Sequence, residues 1–171
     1  MTGSLLFLWP ALMAAEAGRV ASGIAETLAS LGSPPAGPRE APRWATRNRV
    51  VLELMTLRLR DFSVASGPRP TLICSPFALH GATVADFAPG HSLVKALRQA
   101  GVGALFLAEW RSATPEMRFL TIDAMLADLN LAVDELGGRV TLVGLCQGGW
   151  LALVYTARFP EKVDTLVLVG A

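Results

Sequence analysis

The segment that decides the fold reads Val143-Gly144-Leu145-Cys146-Gln147-Gly148-Gly149. A β-like run over residues 139–143 leads into it, and a helix-like run over residues 150–158 leads out. Glycines two positions before and two positions after a cysteine, between a strand and a helix, form the pattern of a nucleophile elbow, with cysteine where serine is more common. The pattern therefore predicts that Cys146 is a nucleophile carried on a tight strand-to-helix turn.

Simple chemistry accounts for the residues around this cysteine. Side chains at Gly144 and Gly148 would crowd the backbone of so tight a turn. The N-terminus of the following helix directs its N–H groups and the positive end of its dipole at the sulfur, which favours the thiolate. The alternative interpretation of Cys146 is a small buried core residue, the usual environment of a free cysteine. The complete strand–turn–helix context favours the nucleophile.

The composition limits the classes of function. The chain has 171 residues, of which 52% are hydrophobic and 17% charged, so we expect a folded domain with a sizeable core. A formal net charge of +1 gives no electrostatic reason to expect nucleic acid as a partner. The two cysteines, Cys74 and Cys146, do not make a disulfide framework, which indicates a cytoplasmic protein. The sequence has no CxxC pattern or His/Cys cluster, so we expect no metal site.

The chain divides into three parts by composition. Residues 1–31 are predicted to be an N-terminal helical segment whose apolar start is too short to span a bilayer. This segment either packs on the protein itself or attaches to a lipid or granule surface. Residues 32–43 are rich in proline and glycine and are predicted to be a linker, and residues 44–171 form the body.

Strand-like and helix-like runs alternate along the body. Buried parallel strands are predicted near residues 71–75, 103–108, 139–143 and 165–169. Helices are predicted over residues 92–100, with Ser92 as the N-cap, and over residues 121–136 and 150–158. The alternation predicts an α/β fold with a mostly parallel sheet covered on both faces. Upstream, residues 49–60 predict two short strands with a slip between them, and an exposed Arg58 and Arg60 as at an antiparallel edge.

The loop at residues 75–82 follows the first buried strand and is the second candidate functional element. In folds with a nucleophile elbow, one backbone N–H of this loop and the N–H of the residue after the nucleophile bind the oxyanion. The pattern therefore predicts oxyanion donors at Gln147 and at Phe77, the latter within about two residues. Acyl transfer builds negative charge on the carbonyl oxygen, and loss of one donor costs ~3–4 kcal/mol.

The sequence offers two histidines as a general base, His80 and His91. In folds with a nucleophile elbow the base follows the nucleophile along the chain. Both histidines precede Cys146, so topology argues against each of them as the base. We expect His80 to brace the loop after the first buried strand, and His91 to lie near a helix start.

Four further positions have plainer interpretations. Cys74 is expected in the core. The run Glu109-Trp110-Arg111 ends the second buried strand, at the sheet edge where α/β proteins bind ligands, but we prefer a surface loop with a partly buried Trp110. The carboxylates on the polar face of the helix over residues 121–136 are expected to be solvated: Asp123, Asp128 and Asp134.

Residues 44–171 resemble the polyhydroxyalkanoate synthases of the α/β-hydrolase fold. The resemblance rests on Gly-Leu-Cys-Gln-Gly-Gly at residues 144–149, on Ser-Leu-Val at 92–94 leading to Gly101, and on the strand Phe-Leu-Ala-Glu-Trp-Arg at 106–111. It implies a partial α/β-hydrolase domain, with Cys146 carrying the growing acyl chain. It also implies hydroxyacyl-CoA and a polyester chain as partners, no cofactor beyond the CoA thioester substrate, and a cytoplasmic setting at a polyester-granule surface. It allows a homo-oligomer.

The resemblance also implies what this stretch does not contain. The family's catalytic aspartate and histidine would follow Ala171, so we expect the reading frame to continue and the chain by itself to be inactive in turnover. The sheet is correspondingly expected to stop after the strand that follows the elbow. Intracellular polyhydroxyalkanoate depolymerases share a related fold and can also use cysteine. Hydrolysis and an inactive module that binds acyl chains therefore stay open as alternatives.

Overall fold

A computed structural model describes residues 43–67, 69–77 and 81–171 of the protein. The strands are β1 (Arg49–Glu53), β2 (Leu57–Asp61), β3 (Thr71–Cys74), β4 (Asp86–Ala88), β5 (His91–Ser92), β6 (Leu105–Trp110), β7 (Val140–Leu145) and β8 (Val163–Val169). The α-helices are α1 (Leu93–Gln99), α2 (Ile122–Glu135) and α3 (Gln147–Arg158). The predicted N-terminal segment, the linker except for Arg43, and His80 lie outside the described residues.

The main sheet has six strands in the order β1-β2-β6-β3-β7-β8. Strands β6, β3, β7 and β8 are parallel, and β2 and β1 are added antiparallel at one side. The prediction of an α/β fold with a mostly parallel sheet is therefore confirmed. Strand β6 begins at Leu105, later than expected, because the carbonyl of Gly103 accepts hydrogen bonds from the N–H groups of Val64 and Ala65 instead of joining the ladder.

Both faces of the sheet are covered, which explains why the central strands read as continuous apolar runs. On one face, α2 and α3 contribute Leu129, Leu151 and the fully buried Tyr155 to a core that includes Leu72 and Leu142. On the other face, α1 contributes to a second core of buried residues: Phe62, Ile73, Ala82, Ala85, Val94, Leu105, Leu107 and Val143. The parallel strands are thus fixed from both sides, and their carboxyl ends share one edge.

The antiparallel side of the sheet differs from the prediction at Arg60. Its guanidinium lies 2.6 Å from a carboxylate oxygen of Glu109 on β6 and 4.8 Å from the ring centre of Trp44. The side chain is only 16% exposed, so the prediction of an exposed Arg60 is wrong. The reason is that β1, not β2, forms the sheet edge.

The three carboxylates of α2 that are expected to be solvated have different partners in the structure. Asp123 and Asp134 form ion pairs with Arg158 and Lys162 at the surface. Asp128 instead accepts hydrogen bonds from the Thr56 backbone N–H at 3.1 Å and the Thr56 hydroxyl at 2.6 Å. The prediction of a merely solvated Asp128 is wrong, because this carboxylate ties α2 to the turn between β1 and β2.

Asp86 is a buried carboxylate that joins three segments of the chain. It accepts hydrogen bonds from the backbone N–H of Thr46 at 2.7 Å, from the Thr46 hydroxyl at 2.9 Å and from the Ser92 hydroxyl at 2.6 Å. The Ser92 hydroxyl oxygen in turn accepts the N–H of Lys95 and caps α1, as the sequence predicts. Asp86 therefore ties the β4–β5 hairpin to the segment before β1 and to the start of α1.

We expect Asp86→Ala to lower the free energy of unfolding by about 3 kcal/mol, because it leaves three partly buried donors without their acceptor. Urea unfolding followed by tryptophan fluorescence measures the change. Asp123→Ala is the matched control: it removes an exposed ion pair and should change stability by less than about 1 kcal/mol. Equal effects of the two substitutions would contradict the structural role assigned to Asp86.

Candidate active site

Cys146 lies directly between β7 and α3, in the conformation that the elbow pattern requires. Its φ is +52° and its ψ is −124°, and within the described part of the chain it alone among non-glycine residues has a positive φ. A side chain in this region is strained, and such strain tends to mark functional positions. The Cys146 N–H donates to the carbonyl of Val169 at 2.8 Å, and its own carbonyl accepts the N–H of Gly149 at 2.8 Å. Contacts from β8 and α3 thus hold an exposed thiol at the carboxyl edge of the sheet.

Helix α3 begins at Gln147, three positions before the predicted start at residue 150. The prediction begins the helix at Trp150 and therefore leaves Gly148 and Gly149 in the turn. Packing explains the difference. A Cβ at Gly148 would collide with the carbonyl oxygen of Cys74 and lie 2.5 Å from that of Ser75. Only a glycine allows the first turn of α3 to lie against the end of β3.

The two predicted oxyanion donors lie at the same edge. Cys74 pairs with Gly144 across the β3–β7 ladder, and Phe77 and Gln147 each follow three positions later. The close approach of Gly148 to the end of β3 holds the first turn of α3 against the loop that carries Phe77. The structure thus brings the two segments together, while the binding of an oxyanion by the N–H groups of Phe77 and Gln147 stays a prediction.

The described candidate base, His91, is not joined to the thiol. His91 is exposed in the β4–β5 hairpin, directly before the Ser92 cap of α1, which agrees with the expected position near a helix start. Across residues 43–67, 69–77 and 81–171, no hydrogen bond links a histidine to Cys146. His91 therefore gains no support as a general base from the described geometry.

Cys74 is fully buried, as expected for a core residue. Burial raises the pKa of its thiol to about 12, and the nearby Trp110 side chain opposes this only in part. Trp110 is itself 3% exposed and belongs to β6, so the preference for a partly buried loop residue is wrong. The neighbouring Arg111 donates to the carbonyl of Leu54 at 3.0 Å. The end of β6 thus serves to fix the sheet.

Iodoacetamide should alkylate Cys146 at least about tenfold faster than Cys74 at pH 8. Alkylation requires an accessible thiolate, and Cys74 has neither access nor an ionised sulfur at this pH. Peptide mapping by mass spectrometry at successive times measures both rates. In urea the two cysteines should react at similar rates, which serves as the control. Equal labelling in the folded protein would contradict the assignment.

The described residues contain neither a candidate metal site nor a membrane-spanning helix. They contain no group of three or more His, Cys, Asp and Glu side chains placed to hold a metal ion. Within the same part of the chain, no helix combines the length and the apolar character needed to cross a membrane.

Comparison with known proteins places these features in context. The family described as the alpha/beta hydrolase fold matches residues 69–171. The poly(3-hydroxyalkanoate) polymerase subunit PhaC of Synechocystis sp. is 34% identical over 115 residues, which cover 63% of this chain and 30% of that protein. PhaC of Haloferax mediterranei is 29% identical over 135 residues, which cover 74% of this chain and 27% of that protein. The chain therefore spans less than a third of the length of either relative.

Solved structures agree on the fold. A probable hydrolytic enzyme from Pseudomonas aeruginosa superposes with a TM-score of 0.54 at 19% identity, covering 75% of this chain and 43% of that one. A membrane phospholipase A described as a bacterial virulence factor gives a TM-score of 0.54 at 20% identity. The match covers 95% of this chain and 50% of that one. At these identities the likeness shows the shared fold alone.

Proposed function

The chain belongs to the α/β-hydrolase fold family, and from this premise we propose that it acts as a polyhydroxyalkanoate synthase-like acyltransferase with Cys146 as its nucleophile. One observation carries the proposal: an exposed cysteine holds a strained positive-φ turn between β7 and α3. In this family such a turn is a nucleophile elbow, and the reactive side chain stands on it. The PhaC relatives support the choice of a hydroxyacyl thioester as substrate.

In the proposed first step, the Cys146 sulfur attacks the thioester carbonyl carbon of a hydroxyacyl-CoA. A carbon–sulfur bond to Cys146 forms and the one to CoA breaks, and the thiol proton ends on the departing CoA thiolate. The acyl group is held as a thioester before and after this step, so the exchange has little free-energy cost. An ester on a serine would be lower in free energy and would transfer the acyl group less readily. The N–H groups of Gln147 and Phe77 would stabilise the oxyanion during this step.

In the second step, a hydroxyl oxygen of the polyester chain attacks the acyl group on Cys146. An oxygen ester forms, the bond to the Cys146 sulfur breaks, and the hydroxyl proton returns to that sulfur. A general base accelerates such proton transfers by about 10²–10⁴-fold. His91 is exposed and has no hydrogen bond to Cys146 among the described residues, so we expect the chain alone to carry out the first step and to lack rapid turnover.

The remaining assignments belong to the same proposal. Hydroxyacyl-CoA and a polyester chain are the partners, and no cofactor beyond the CoA thioester is invoked. The proposed setting is the cytoplasm at a polyester-granule surface, with self-association into a homo-oligomer allowed. These assignments rest on the PhaC relatives, of which the chain spans 30% and 27%.

Product analysis after mixing the chain with 3-hydroxybutyryl-CoA tests the proposal. An acyltransferase should release about one CoA per chain in the first phase, with the hydroxybutyryl group retained on the protein. A hydrolase would instead release free 3-hydroxybutyrate in step with CoA. A module that only binds acyl chains would release no more CoA than the Cys146→Ala variant. Either of the last two results would overturn the proposal.

A further inference from the structure

The outward face of α3 carries an apolar stripe close behind its cap residue, Cys146. The stripe consists of Trp150 and Leu153, which are three residues apart and therefore lie on the same face of the helix. Trp150 is 47% exposed and Leu153 is 50% exposed. The outward face of a surface helix is ordinarily polar, so large apolar side chains in these positions need an explanation.

Trp150 is also in contact with the loop after β3. Its ring centre lies 6.3 Å from that of Phe77, in a tilted arrangement. Phe77 is half-buried and packs against the core beneath α2 and α3, so it supports the Trp150 ring from one side. The rings therefore come from the same two segments whose N–H groups are the predicted oxyanion donors. They meet at the end of α3 that Cys146 caps.

We propose that the side chains of Phe77 and Trp150 form an acyl-binding surface, the acyl wall, that selects thioesters with aliphatic acyl chains. This inference rests on the proposed function and names the part of the substrate that this surface binds. Cys146 is the cap residue of α3, and Trp150 lies in the first turn of that helix. The two residues are neighbours at one end of the helix, within reach of the first few carbons of an acyl chain attached to the sulfur. Each methylene fully removed from water strengthens binding about fourfold, and a polar substituent gains nothing from the same contact.

The test compares acylation of Cys146 by hexanoyl-CoA and by acetyl-CoA, which differ only in chain length. Trp150→Ala and Phe77→Ala should each lower the hexanoyl-to-acetyl ratio of acylation rates by about tenfold. Leu153→Ala is the matched control, because Leu153 is equally exposed and lies on the same stripe, but one turn farther from the thiol. It should leave the ratio unchanged. Far-ultraviolet circular dichroism verifies that each variant is folded.

A second probe tests the acyl wall without acyl transfer. N-hexylmaleimide and N-methylmaleimide add to the Cys146 thiol by the same reaction and differ only in their alkyl group. Trp150→Ala should lower the hexyl-to-methyl ratio of rates as it lowers the thioester ratio. If no thioester reacts while the maleimide ratio still falls, the proposed function is wrong and the acyl wall stands. If Trp150→Ala leaves the maleimide ratio unchanged, or Leu153→Ala lowers it equally, the acyl wall is overturned.

Discussion

Replacement of Cys146 by alanine should reduce acylation of the chain by 3-hydroxybutyryl-CoA more than about a thousandfold, because no other described side chain combines exposure with this turn. Removal of a covalent nucleophile leaves nothing to carry the acyl group. Cys74→Ala should retain acylation, since the Cys74 thiol is fully buried. Intact-protein mass spectrometry of the mixed samples measures the bound acyl group directly.

The effect of losing the thiol can be separated from misfolding. Alanine keeps the Cβ of Cys146 and thus the strain of its positive φ, so Cys146→Ala should be about as stable as the original protein. Cys146→Gly also lacks the thiol but relieves the strain, and it should be more stable by about 1 kcal/mol. An inactive yet stabilised glycine variant would indicate strain maintained for function. A destabilised glycine variant, or an alanine variant that still accepts the acyl group, would contradict this account.

Gly148→Ala should have the largest effect on the fold itself. The new Cβ would collide with the carbonyl oxygen of Cys74 and lie 2.5 Å from that of Ser75. Neither is a flexible side-chain end, so α3 or the loop after β3 must shift. We expect a loss of about 3 kcal/mol or more in the free energy of unfolding. Acylation should fall as well, because the shift separates Gln147 from Phe77.

A second glycine provides the control for this substitution. A Cβ at Gly67 would meet the Cβ of Ala104 at 3.6 Å, an ordinary contact. Gly67→Ala should therefore change stability by less than about 1 kcal/mol. Urea unfolding compares the two variants. A Gly148→Ala protein as stable as Gly67→Ala would show that the close approach of α3 to β3 is not required.

Local sequence pattern was sufficient for the parts of the fold that depend on neighbours in the chain. The alternation of apolar runs and amphipathic helices predicts the parallel sheet, and the glycines around Cys146 predict a turn that the structure shows to be strained. Ser92 as the cap of α1 follows from the same local logic. These features could be predicted because each is specified by residues within a few positions of one another.

The differences arise where distant segments meet. The early start of α3 depends on the carbonyls of Cys74 and Ser75, which no pattern near Gly148 reveals. Similarly, Arg60 is covered because it faces Glu109 on a neighbouring strand. For the site, the sequence indicates Phe77 as a backbone donor. The contact of its ring with Trp150 depends on packing between two segments, so pattern alone did not predict it.

Locating the acyl group on the protein shows whether Cys146 is the nucleophile. The chain is mixed with 3-hydroxybutyryl-CoA, quenched in acid and digested, and the peptides are sequenced by mass spectrometry. We expect one hydroxybutyryl group per chain, attached to Cys146 and removed by hydroxylamine, as is usual for a thioester. Attachment to another residue such as Ser75, or release of CoA with Cys146 unmodified, would contradict the assignment of Cys146 as the nucleophile.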